Sequence, residues 1–147
     1  MSTDGAGDQR LDVARCGVYR AAAGPRRAPA PAGGLDLVSI SLAGVASKDA
    51  LLERFAAALA FPDWFGGNWD ALEDCLGDLS WRADGPRVLV IDGFEALQAA
   101  ARDDFRVLLD LLADVADHWS AQGCVFCVIF VDPGRRLGLR TWGDASA

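Results

Sequence analysis

Only one histidine, His118, occurs in the chain, and that scarcity removes most of the metal and acid–base chemistry an enzyme would draw on. His118 falls near the end of a predicted helix beside Asp114 and Asp117. An Asp–His pair at i, i+4 is half a metal site, but no further ligand cluster accompanies it, so it reads as a surface histidine favoured by nearby carboxylates and the helix C-terminus. No Ser-His-Asp or Cys-His set is visible, no G-x-x-x-x-G-K-[ST] loop, and no G-x-G-x-x-G fingerprint after a predicted strand. No metal, no cofactor and no enzymatic activity are therefore expected.

Long apolar runs are also missing. None reaches the roughly 18 residues of a membrane span, and the N-terminus Met1 to Arg10 has neither the basic nor the apolar part of a secretory signal, so a cytoplasmic protein without membrane contact is expected. The formal charge of -7 argues against direct nucleic-acid binding, which needs a basic patch, and favours a basic protein partner. Cysteine is sparse. Cys16, Cys75, Cys124 and Cys127 suit reduced, packed thiols, and although Cys124 and Cys127 match C-x-x-C, they lie in a predicted strand where an offset of three sends them to opposite faces.

What remains is patterned for one α/β domain. Residues 1–34 are polar or Pro/Ala/Gly-rich, with Gly24 to Gly34 the clearest linker; Cys16 to Arg20 alternates enough to add an N-terminal edge strand. Leu35 to Leu42 reads as the first core strand. Ser47 caps a helix carrying Leu51, Leu52, Phe55 and Leu59, which Pro62 stops, and Asn68 caps a second. Arg87 to Asp92 is apolar enough for a strand covered on both faces, a long helix spans about Asp103 to Ala121 with Phe105, Leu108, Leu109, Leu112, Val115, Ala116 and Trp119 inward, and after Gly123 a third strand runs from Cys124 to Val131. Strands separated by helices predict a three-stranded parallel sheet packed with helices, in two or three layers, over residues 35–131, with residues 132–147 as a flexible tail.

The second helix is the most informative segment. Asp70, Asp74 and Asp78 recur at i, i+4 and i+8 in one stripe, while Trp69, Leu72, Cys75, Leu76 and Leu79 gather on the other side. Like charges at that spacing cost roughly 0.2–0.5 kcal/mol per pair, and the later two oppose the helix dipole. From Phe55 to Trp81 there are five acids (Asp63, Asp70, Glu73, Asp74 and Asp78) and no Lys or Arg. The plain alternative is a solvated face. Paired carboxylates also serve glycoside hydrolysis, but there they face one another across a cleft, whereas these line a convex helix.

The segment Phe61 to Leu76, with its Pro62, paired aromatics Trp64 and Phe65, Gly66-Gly67, and then Asn-Trp-Asp-Ala-Leu-Glu-Asp-Cys-Leu, resembles the signature of the barstar family, intracellular inhibitors of secreted guanyl-specific ribonucleases of the barnase type. The order of elements over residues 35–131 agrees with that family's α/β parallel-sheet fold. The resemblance implies that Asp74 enters the nuclease active site in place of an RNA phosphate and that Asp70 pairs at the rim. It further implies that Trp64 packs on the nuclease's catalytic imidazole, and that Gly66, Gly67 and Asn68 shape a loop allowing close backbone approach. Glu73, Gly77, Asp78 and His118 complete the candidate partner-binding set. Two positions depart from the best-known member: Glu73 replaces a tryptophan, and His118 replaces a glutamate on the last helix. These changes point to a related nuclease or another basic toxin as the natural target, bound by a monomer. A non-inhibitory acidic binding module is the other reading of the same face.

Overall fold

A computed structural model describes residues 16–23, 36–63, 65–82 and 85–142. Its elements are β1 (Gly17–Ala21), β2 (Asp36–Ser41), α1 (Lys48–Leu59), α2 (Trp69–Asp78), β3 (Arg87–Asp92), α3 (Glu95–Ala100), α4 (Arg102–Ala121), β4 (Phe126–Val131) and β5 (Arg140–Thr141). All pairings are parallel, in the order β2-β3-β4-β1-β5. The α/β class with a parallel sheet is thus as expected.

Strand periodicity decides what each face of the sheet meets. Val38 and Ile40 of β2, Leu89 and Ile91 of β3, and Val128 and Phe130 of β4 join the buried residues of the helices in one large core. Val88, Val90, Cys127 and Ile129 point the other way and form a smaller cluster with Tyr19 and Ala21, to which no described helix contributes. Among the described residues the fold therefore has two layers, and β3 is buried on both faces.

Local signals account for several helix ends. Ser47 Oγ accepts the Ala50 N–H at 3.3 Å, as its sequence position predicts. α4 buries Phe105, Leu108, Leu112, Val115 and Ala116; it also buries Leu111, which the periodicity reading omitted, while Leu109 and Trp119 are half-buried. Gly123, at φ 75, turns the chain into β4, which begins two residues later than expected. α3 was not anticipated: it buries only Leu97 and has no side-chain cap, so six residues carry no usable period. Gly93 just before it, at φ 72, packs so closely that a Cβ there would lie 2.6 Å from the Ala43 nitrogen.

The sheet has two strands beyond the expected three. β1, read as a possible edge strand, lies inside, paired with β4 on one side and β5 on the other. β5 falls within residues read as a flexible tail. The reason is a single buried carboxylate: Asp132 accepts the Arg136 and Leu137 N–H groups, each at 2.9 Å, and its Oδ2 lies 3.6 Å from Nε of the buried Arg20. Arg20 in turn donates to Thr141 Oγ1 at 2.9 Å and to the Asp132 carbonyl, so the end of the chain is bound to β1 over more than 100 residues of separation. Most of the segment read as N-terminal extension and linker, 1–34, lies outside the described residues.

Candidate functional site

α2 is held from both ends and from below. Asn68 Oδ1 accepts the Ala71 N–H at 2.7 Å, and the Asn68 carbonyl takes the Leu72 N–H at 3.0 Å, so the cap expected from sequence is made. Leu72, Cys75, Leu76 and Leu79 are fully buried, and Trp69 is half-buried beside them. At the far end Leu79 turns left-handed and returns its N–H to the Cys75 carbonyl at 3.1 Å. The Leu76 carbonyl accepts the Trp119 indole N–H at 2.9 Å, which fastens α2 to α4. The preceding loop is stiffened by Phe61 against Phe65, with ring centres 4.9 Å apart, and by Trp81 edge-on to Phe61 with its Nε1–H on the Leu59 carbonyl. Gly67 takes φ 72, a conformation that suits glycine.

Asp70, Glu73, Asp74 and Asp78 all stand exposed on the outer face of this helix. The ion pairs among the described residues use only Asp36 and Asp132 as acids, so none of the four meets a cation; Asp78 Oδ2 accepts the Ser80 hydroxyl at 3.2 Å. Glu73, Asp74, Gly77 and Asp78 form one wall of a shallow cleft of about 310 Å³, and Asp114, Val115 and His118 of α4 form the other. Gly77 matters for its bareness: a Cβ there would sit 3.7 Å from the His118 ring, so the glycine leaves the cleft floor open. His118 is exposed, 2.8 Å from the Gln122 amide nitrogen and edge-on to Trp119.

The structure thus brings Glu73, Asp74, Gly77, Asp78 and His118 together. Asp70 lies one turn toward the helix start, and Gly66, Gly67 and Asn68 lie at that end, outside the cleft. Trp64 lies outside the described residues. Asp114 was not among the candidates, although its place four residues before His118 on one helix was the signal that could have found it.

Chemically the face is an acceptor surface of exposed carboxylates. Burial pushes the Cys75 thiol up, and the Asp74 and Asp78 carboxylates push it further the same way, so the one sulfur beneath the stripe is kept as an unreactive thiol. All four cysteines are free. Among the described residues no group of three or more His, Cys, Asp or Glu is placed to hold a metal, and no helix is long and apolar enough to cross a membrane.

Residues 35–131 match the protein-family model described as Barstar (barnase inhibitor). No curated protein matches the chain.

Proposed function

The chain belongs to the barstar family, and from that premise we propose that it inhibits a barnase-type guanyl-specific ribonuclease, or a closely related basic toxin, by seating the acidic face of α2 in the nuclease active site. The observation that carries this reading is the stripe itself: Asp70, Asp74 and Asp78, with Glu73 beside them, are exposed, rigidly mounted and without a cation among the described residues. A nuclease that grips RNA phosphates with arginine offers the geometry carboxylates accept best, two parallel N–H bonds per guanidinium. Unlike charges about 4 Å apart at a protein surface attract by roughly 4 kcal/mol before desolvation is counted, so four unpaired acids supply ample complementarity.

In this reading Asp74 takes the place of a scissile-site phosphate, Asp70 pairs at the rim, Gly66, Gly67 and Asn68 shape the approach, and Trp64, by its position in the family motif, contacts the nuclease's catalytic imidazole. Asp78 and Asp114 extend the field into the cleft, where His118 and the bare Gly77 shape the fit to one particular nuclease. Glu73 adds charge where an aromatic contact would otherwise sit, which favours a more basic rim on the partner. The protein acts as an immunity factor in the cytoplasm, as a monomer. General figures for hot spots and electrostatic steering derive in part from the barstar–barnase pair itself, so they set a scale here and are not an independent test.

The test is a titration of the protein into a fluorogenic RNA-cleavage assay of a barnase-type ribonuclease, with Asp74→Ala run alongside. Stoichiometric inhibition by the wild type, lost in the variant, is the expected result. A folded wild type that leaves cleavage by several such nucleases untouched would overturn the proposal.

A further inference from the structure

The positive charge of the described domain is not spread evenly. Among the described residues, Arg20, Arg82 and Arg87 form ion pairs, Arg54 donates to the Ser41 and Ala43 carbonyls, and Arg140 lies over the Tyr19 ring at 4.7 Å. Lys48, Arg102, Arg106, Arg135 and Arg136 are the cations left without such a partner, and three of these, Arg102, Arg106 and Arg136, line one groove of about 610 Å³. This groove involves none of the residues of the α2 cleft.

Its construction is deliberate in the physical sense. Arg102 and Arg106 are one turn apart on α4, so both emerge on one side of the helix. Arg102 stands in the first turn, where a cation opposes the helix dipole, and none of the ion pairs among the described residues includes it. Arg136 arrives from the other side, on the loop whose Arg136 and Leu137 amides are clamped by the fully buried Asp132 carboxylate. The floor between them includes Phe105, Leu109 and Leu137. A volume of this size with an apolar floor and a few convergent polar groups is the usual form of a small-molecule site.

From this we infer that the groove binds a phosphorylated small molecule of the nucleoside-phosphate class, its phosphates held by Arg102, Arg106 and Arg136. Guanidinium groups grip phosphate oxygens in pairs, which suits a ligand with more than one phosphate. Glu95 and Asp110, which also line the groove, select against a bare polyanion by repulsion. They accept hydrogen bonds from the hydroxyl or amino groups that a nucleoside carries beside its phosphates. The inference stands apart from inhibition through α2, since the two sites share no residue.

The test uses the full chain and isothermal titration with ADP, pyrophosphate and adenosine. ADP is expected to bind with a Kd below about 1 mM, more tightly than pyrophosphate, with adenosine weakest. Arg102→Ala, Arg106→Ala and Arg136→Ala should each weaken ADP at least about tenfold, the usual scale for a lost charge-assisted bond, while Lys48→Ala and Asp74→Ala leave it unweakened. Asp110→Asn should erase the preference for ADP over pyrophosphate. Absence of saturable ADP binding would overturn the inference, as would equal weakening by Lys48→Ala, ADP binding retained in all three arginine variants, or pyrophosphate binding as tightly as ADP.

Discussion

Replacing Asp74 by alanine should move stability and inhibition in opposite directions. Asp74 is the middle member of the stripe, one turn from Asp70 and one from Asp78, so its removal relieves two like-charge pairs at roughly 0.2–0.5 kcal/mol each. Alanine also exceeds aspartate in intrinsic helix propensity by up to about 0.7 kcal/mol. The side chain is exposed and without an ion pair among the described residues, so little packing is lost in return. The variant should therefore be more stable by about 1 kcal/mol, a rise in Tm of roughly 3–6 °C for an ordered domain of this size. If Asp74 anchors the nuclease, the same change removes a hot-spot carboxylate and should cost at least about 2 kcal/mol, close to a 30-fold rise in Kd. Thermal unfolding reads the first quantity and tight-binding inhibition kinetics the second. A lower Tm would refute the reasoning about repulsion, and an unchanged Kd would remove Asp74 from the interface.

Four further outcomes follow from the same structure. Asn68→Ala removes the bond to the Ala71 N–H and should destabilise by about 1 kcal/mol, measured by urea unfolding. Gly93→Ala places a Cβ 2.6 Å from the Ala43 nitrogen at a positive φ and should cost at least about 2 kcal/mol; a variant as stable as wild type would contradict the packing seen there. The side-chain hydrogen bonds from Arg82, reinforced by its charge and that of Arg87, hold the Asp36 carboxyl below the usual range against the opposing effect of burial. The folded state then binds fewer protons than the unfolded chain as pH falls through about 4, so this stabilisation is complete above about pH 5 and lost on acidification. Unfolding series between about pH 5 and pH 3 should show wild type losing more stability than Asp36→Asn, and parallel losses would be the contrary result. Finally, if the acidic face seats in a basic nuclease as proposed, the association rate should drop steeply as salt is raised past the range where the Debye length is about 10 Å; stopped-flow rates indifferent to salt would exclude steering by that face.

Where the sequence was legible, the information was local. Asn68 before an apolar period of 3.6, Ser47 before another, and Gly123 after a third each describe a contact made within four residues, and each of those ends is found where it was read. β2 and β3 declare themselves by alternation and by continuous apolar character. What escaped depends on partners far away in the chain. The buried Asp132 looks like any loop aspartate until Arg20 and the Arg136 and Leu137 amides are folded around it, and with it went the two-residue β5 and the interior place of β1. The acidic stripe was visible because a helix period alone aligns it. Asp114 is aligned with His118 by the same helix period, but that the pair faces the stripe depends on α4 packing against α2, which is tertiary information.

An outer face so poorly suited to stability survives because the inner face outweighs it. Leu72, Leu76 and Leu79 are fully buried, and each such side chain is worth about 1.5–3 kcal/mol relative to exposure. The stripe's repulsion amounts to about 1 kcal/mol in all. α2 is then positioned by core packing and by the Asn68 and Trp119 hydrogen bonds, none of which involves a charged group on the outer face. That separation lets the acids be changed with almost no consequence for the fold. Under the proposed function, substitutions at Asp70, Glu73, Asp74 and Asp78 should then retune which basic protein is bound, while a change at the fully buried Leu76 would unseat the whole face.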